Sequence, residues 1–265
     1  SLLSVISGGR LSAIDTRLVD PTATGAGSKL EAAINNIYTV WQDGADTPLH
    51  SVKPEGGYTD APVMTGPSTQ IVFSTLGVNP TKHNADFSVH RFIRAELIRM
   101  GVPAKDIVMA ADLKTSALKQ RAFNDMNDGK KRILIGSENL FTGVNAQKRL
   151  AAIHNLDPLW YPADDTQRNG RAIRQGNMNP EVEIFDYSTK GTYDATMWQM
   201  MGRKASFIEG FFRGDPNMRE IEDLGEASAY EQAKAISTAD PRVLKLTELR
   251  QKRDEIRRRR DGVER

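Results

Sequence analysis

The chain has 265 residues, 39% hydrophobic and 26% charged, with a net charge of +2 and no cysteine. That is an ordinary globular balance, enough for one large domain or one domain with extensions. It excludes a disulfide scaffold and cysteine-based metal or redox centres, and it provides no global basic field to draw in nucleic acid.

No run of 18 apolar residues occurs and the N-terminus lacks a signal-peptide pattern, so the reading is of no membrane segment and a reducing, cytoplasmic-type compartment. The chain opens on Ser1 without a methionine, and the expectation is a piece excised from something longer. Residues 1–27 read as a mixed opening segment ending in the loose Pro21-Thr-Ala-Thr-Gly-Ala-Gly27. Ser28-Lys-Leu-Glu31 then reads as a capping box, Ser28 at N-cap and Glu31 at N3, and Leu30, Ile34, Ile37 and Trp41 space an apolar face along the helix that follows. Gly25-Ala-Gly-Ser-Lys29 looks like a fragment of a phosphate loop. It lacks the Gly-Lys-Ser/Thr order and no apolar strand precedes it, so the cap is the better reading.

Residues 43–69 are rich in Gly, Pro, Asp and Thr and read as a long exposed loop or insertion. From residue 70 short apolar strands alternate with helices. Strands are expected at Gln70–Thr75, Ile107–Ala110, Arg132–Ile135, Ala151–Leu156 and Glu181–Tyr187. Helices are expected around Val89–Met100, stopping at Gly101, and around Ser116–Met126. The pattern predicts an α/β fold, a parallel sheet covered on both faces with its chemistry at the carboxyl ends of the strands. Beyond residue 190 the character is helical, at Thr192–Phe212 and Arg219–Ser237. The last segment, Arg242–Arg265, carries ten Lys/Arg against five Asp/Glu. It reads either as a solvated, partner-dependent helix or as a nucleic-acid contact. The four histidines (His50, His83, His90, His154) have no ligand spacing and read as structural or surface residues, and no metal site is expected.

The most informative stretch is Gln167-Arg-Asn-Gly-Arg-Ala-Ile-Arg-Gln-Gly176. On a helix Gln167, Arg171 and Arg174 stand at i, i+4 and i+7 and share one face. Like charges at that spacing repel, so the natural partner is an anion outside the helix. Two planar guanidiniums suit the oxygens of a polyphosphate, where an arginine stabilises charge developing in phosphoryl transfer. Gly170 removes a side chain where another backbone or a ligand must come close. The plain alternatives are a solvated basic helix start, or arginines that brace the helix against Asp164 or Asp165.

Four blocks in order resemble the second RecA-like lobe of a superfamily-two helicase, nearest the Swi/Snf-type double-stranded DNA translocases. Ile71-Val-Phe-Ser74 is similar to the strand that opens that lobe. Gly136-Ser-Glu-Asn-Leu-Phe-Thr-Gly-Val-Asn145 resembles motif five, Asp157-Pro-Leu-Trp-Tyr-Pro162 the segment before motif six, and Gln167–Gly176 motif six itself. Thr189–Asp194 is similar to the lead into the closing helix. The resemblance covers residues 70–212. The Arg-Gln-Gly-Asn177 ending and Ala233-Lys-Ala-Ile-Ser237 look most like large phage- and plasmid-borne helicase-like proteins, some fused to DNA methylases.

The resemblance implies residues 70–190 as a RecA-like helicase C-terminal lobe, preceded by 1–69 and followed by a helical extension, 191–265. It implies Arg171 and Arg174 reaching toward ATP phosphates, one as an arginine finger, with Gln167 holding that helix or binding nucleotide. Gly143, Asn145 and Gly170 would border the nucleotide cleft. Ser74 and Ser137 would donate to DNA phosphates, with a purely structural role as the alternative for each. Trp160 reads first as a packing aromatic and second as a base-stacking one. No Gly-Lys-Ser/Thr loop and no Asp-Glu-x-His-type strand end occurs in the chain. ATP and Mg2+ would therefore bind only with an N-terminal RecA-like lobe of the same parent, and the partner polymer would be DNA, read as duplex. The competing readings are a non-catalytic RecA-like module for nucleic-acid binding or assembly, and a stand-alone α/β phosphate-binding enzyme. The missing Gly-rich loop argues against the last.

Overall fold

The computed structural model describes residues 2–137, 145–159, 161–170, 175–195, 197–198, 200–202 and 204. Within them the order is α1 (Leu2–Ile14), α2 (Lys29–Asp43), β1 (Thr47–Leu49), β2 (Met64–Gly66), β3 (Thr69–Phe73), α3 (Val89–Arg99), β4 (Ile107–Met109), α4 (Ser116–Asn127), β5 (Ile133–Gly136), β6 (Leu150–Asn155), α5 (Pro162–Asn169) and β7 (Glu183–Asp186). Five strands form one sheet in the order β4-β5-β3-β6-β7, parallel throughout. This is the α/β sheet with helices on both faces that the alternation predicted, and β3, the first of its strands in the chain, lies at its centre. No helix among the described residues is long and apolar enough to cross a membrane.

Period-two alternation divides the sheet into two cores. Val72, Ile133 and Ile135 face α2 and α3, meeting Leu30, Ile34, Ile37, Val89, Ile93 and Leu97. Ile71, Phe73, Leu134 and Ile153 face the other way, meeting Ala122, Phe123 and Met126 of α4. Strands buried on both faces have no polar side to show, and every residue of β3 and β5 is buried.

The helix expected after Ser28 begins there, with a displaced box. Ser28 Oγ accepts from the Glu31 amide, while the Glu31 carboxylate accepts from the Gly27 amide at 2.8 Å, one residue earlier than the box pattern places it. Two elements differ from expectation. Residues 2–14 form α1, whose signal is blurred by Gly8 and Gly9 at its middle. The presumed loop 43–69 carries the antiparallel pair β1–β2. Distant arginines hold its end: Arg149 donates to the Pro67 carbonyl and Arg132 to that of Ser68, and the same side chains also donate to the Asn127 and Trp41 carbonyls.

A directional chain of buried hydrogen bonds joins α2, β3, β6 and the end of β7. Asn36 Nδ2 donates to Tyr187 Oη (3.2 Å), which donates to His154 Nδ1 (2.8 Å). His154 Nε2 donates to Gln70 Oε1 (2.8 Å), and Gln70 Nε2 donates to the Ile37 carbonyl (2.9 Å). These partners fix the neutral, Nε2-protonated tautomer. Burial pushes His154 down from 6.5 to about 3, and pushes Tyr187 up to about 12.

Because the folded value of His154 lies below the unfolded one, its contribution is present above about pH 6.5 and is lost as pH falls toward 3. The loss approaches about 1.4 kcal/mol per pH unit in that window. His154→Gln, although less stable at neutral pH, should therefore lose less further stability between pH 7 and 4 than the wild type. Parallel pH–denaturation curves for the two proteins would contradict this account.

Candidate functional site

The chain leaves β3 and β6 in opposite directions. β3 leads to α3 on one face, whereas β6 leads to α5, whose Arg168 guanidinium lies 5.7 Å from the Phe73 ring on the other. Neighbouring parallel strands whose connections diverge leave a crevice at their carboxyl ends, where α/β proteins place ligands.

Asp157, just past β6, ties the two loops together across that crevice. Its Oδ2 accepts from the Thr75 amide (2.7 Å), the Thr75 hydroxyl (2.8 Å) and the Leu76 amide (2.8 Å). Asp157 is fully buried. The same loop is fixed at its root: the Ser74 amide donates to the Gly136 carbonyl, and His90 Nε2 donates to the Ser74 carbonyl at 3.0 Å. Burial lowers the His90 pKa, keeping the ring neutral as a donor, against the opposing influence of that hydrogen bond. Ser74 is itself buried, and its hydroxyl donates to the Leu76 carbonyl at 3.0 Å, so in this arrangement it braces the loop. Thr75 is exposed at the tip.

Helix α5 starts with Pro162 in its first turn, where no amide is needed, and with Asp164 and Asp165 at its positive end. Its inner face is polar. Arg168 is 3% exposed; its Nη1 donates to the Asp157 carbonyl (3.2 Å) and its Nη2 to Asp165 Oδ1 (2.7 Å). Asn169 Nδ2 donates to the other oxygen of Asp165, and Asn155 Nδ2 donates both to Asn169 Oδ1 and to Asp186 Oδ1. Burial pushes the Asp186 carboxyl up, partly offset by the Asn155 amide. Asp157 Oδ1, Arg168 Nε and Asn155 Oδ1 are buried without a protein partner. Each such atom costs about 1–3 kcal/mol, so stability alone does not account for the cluster.

Gln167 is exposed, pointing away from that inner face. Gly170 caps the helix at φ −59°, and a Cβ there would stand 2.8 Å from the Thr166 carbonyl oxygen. That contact is with the helix's own backbone, not with another segment. Ser137 is half-buried directly after β5, and Asn145 is exposed, its carbonyl accepting from Asn127 Nδ2 at 2.6 Å. Arg171, Arg174, Gly143, Trp160 and the basic tail lie outside the described residues. Asp157, Arg168 and Asn155 were not singled out as site residues by the sequence. The one available signal was the acid immediately following an apolar strand.

The phosphate-loop fragment resolves as a structural element. A groove of about 390 Å³ passes Ser28, Lys29, Asp186 and Lys190. Lys29 is no free cation beside it: its Nζ meets Asp194 Oδ2 at 2.6 Å, both side chains almost fully buried. Burial disfavours the charged form of each, lowering the Lys29 pKa and raising that of Asp194, and their mutual attraction only partly restores them. The pair pins the segment after β7 to the start of α2, and Thr189 adds a hydrogen bond to the Ala13 carbonyl.

Residues 78–176 match the helicase conserved C-terminal domain, a span from the loop after β3 to the end of the Gln167–Gly176 stretch. That span, less than half of the chain, is similar to this domain, in agreement with the resemblance to the second lobe of superfamily-two helicases. A curated relative, "Defense against restriction protein B" of Escherichia phage P1, is 31% identical over 102 residues, 38% of this chain and 4% of that protein. The chain therefore matches one short stretch of a far longer relative, phage-borne as the sequence suggested. Among solved structures, the C-terminal part of the Fun30 ATPase domain is 19% identical, covering 51% of this chain and 39% of that one, with a TM-score of 0.40. E. coli DEAD-box protein SrmB, solved bound to regulator of ribonuclease activity A, is 13% identical, covering 59% and 72% with a TM-score of 0.37. The DUF1998 helicase MrfA, solved bound to DNA, is 14% identical, covering 52% and 18% with a TM-score of 0.38. These three are too remote to add to the sequence match.

The loop after β3 closes on Gly77, at φ +67°, where a Cβ would come within 2.6 Å of Val89 Cγ2 and 2.9 Å of Leu18. Gly77→Ala should cost about 2–4 kcal/mol, combining the left-handed backbone penalty with overpacking. A melting temperature unchanged from wild type would show that the loop is not held as described.

Proposed function

We propose that this chain is the C-terminal motor lobe of an ATP-dependent DNA helicase or translocase. The observation that carries the reading is the Gln167-x-x-x-Arg171-x-x-Arg174 pattern inside the helicase-matched span. Supporting it, the inner face of α5 is occupied by Arg168 and Asn169, and both oxygens of Asp165 are engaged by them. Of the two carboxylates that could brace arginines on this helix, Asp165 is thus already occupied by Arg168 and Asn169.

The residues fit one side of an ATP site. Gln167, Arg171 and Arg174 are donors, suited to phosphate oxygens. Bound ATP with Mg2+ would supply the transferable phosphoryl group, and an N-terminal lobe would supply the phosphate loop and metal ligands. On this side Gln167 orients, Arg171 and Arg174 stabilise charge developing on the transferred group, and Gly143, Asn145 and Gly170 border the cleft. DNA would be engaged as a duplex through its phosphates, at Ser137 and the exposed tip of the loop that Ser74 braces. The absence of cysteine suits a cytoplasmic setting.

In the intact parent protein Arg174→Ala should lower kcat for ATP hydrolysis by about 10³–10⁵ while leaving KM nearly unchanged, because a finger acts chiefly in the transition state. Lysine should rescue poorly, lacking the planar fork. The chain by itself should hydrolyse ATP no faster than buffer. DNA-stimulated turnover by the isolated chain that disappears with Arg171→Ala would overturn the half-site reading. A parent protein that binds DNA without any ATPase activity would favour the non-catalytic module.

A further inference from the structure

We infer that Asp157 and Arg168 are positioning residues that couple the loop after β3 to α5, so that nucleic acid at the loop and nucleotide beside Gln167 sense one another. The inference rests on the motor-lobe reading for the identity of the two ligands, and on geometry for the link between their sites. Asp157 is held from both ends. Its carboxylate carries the Thr75 and Leu76 amides and the Thr75 hydroxyl, while its own carbonyl accepts from Arg168. Displacing the loop therefore moves Asp157, and moving Asp157 pulls on α5 through a guanidinium that also grips Asp165 and lies over Phe73, the last residue of β3. A second tie, Asn155 to Asn169, holds the end of the same helix to β6.

The link is buried, so water cannot replace one partner as another shifts, whereas its two outer points are open: Thr75 and Gln167 are both exposed. A brace serving stability alone would do as well or better with apolar groups of the same volume. This one instead buries Asp157 Oδ1, Arg168 Nε and Asn155 Oδ1 without protein partners. Coupling between separate sites is carried by contiguous networks of this kind, and this one runs from the loop to α5.

The test measures the affinity of the intact parent protein for a fluorescent ATP analogue, with and without a saturating short DNA duplex. The wild-type ratio is expected in the ordinary coupling range of about 5–150-fold. Asp157→Asn, which keeps the shape and removes the charge, and Arg168→Lys, which cannot span both acceptors, should bring the ratio to within about twofold of unity. Affinity for either ligand alone should change far less than the ratio. A merely structural role would lower the melting temperature and leave the ratio at its wild-type value, and that outcome overturns the inference. Should Asp157→Asn fail to fold, Thr75→Val removes one bond of the three, and an undiminished ratio there overturns it equally. A wild-type protein that binds the analogue without coupling also overturns it, leaving the motor-lobe reading intact. One that binds no analogue removes that reading first.

Discussion

The structure depends on one carboxylate taken out of water without a cation directly against it. Asp157 is fully buried, and an ion in that position is tolerable only if donors converge on it. Three do, all from the loop after β3. The exchange is mutual, since the Thr75 and Leu76 amides emerge from the end of a strand and would otherwise lack partners. Its field extends further, contributing to the charged forms of Lys29 and His90 against the burial that depresses both.

From that contact the rest of the face is determined. Parallel strands deliver β3 and β6 side by side, and their connections diverge to opposite faces. Asp157 closes the gap, Arg168 seats α5 on the Asp157 carbonyl, and Asn155 fastens the end of α5 and the end of β7 to β6. With Asp165, Arg168 and Asn169 turned inward, Gln167 faces out. The outward position of Gln167 is thus matched by an inward stripe, one residue over, that holds the helix down.

The sheet was legible because short apolar or alternating runs of four to seven residues read as strands without knowledge of any partner. Each of the five falls within a residue or two of its expected bounds. α1 and the β1–β2 pair were not legible, the one because glycines interrupt it, the other because arginines far along the chain hold it. The same limit hid the clasp. Asp157 meets Thr75 across 82 residues, and its place just past an apolar strand does not say what it meets. Arg168 was overlooked beside Gln167, since a charged residue adjoining an exposed stripe is ordinarily solvated. Lys29 illustrates the converse. Its glycine-rich neighbourhood imitates a phosphate site, and its burial against Asp194 assigns it to the architecture.

The claim that these loops and α5 form one mechanical unit is tested most directly by amide hydrogen exchange on wild type and Asp157→Asn. Faster exchange at Thr75 and Leu76 is required by the loss of their acceptor and settles nothing alone. The account predicts that the amides of Thr166–Gly170 in α5, none of which touches the altered carboxylate, exchange faster as well and by a comparable factor. Acceleration confined to Thr75 and Leu76, with α5 exchanging as in the wild type, would contradict it.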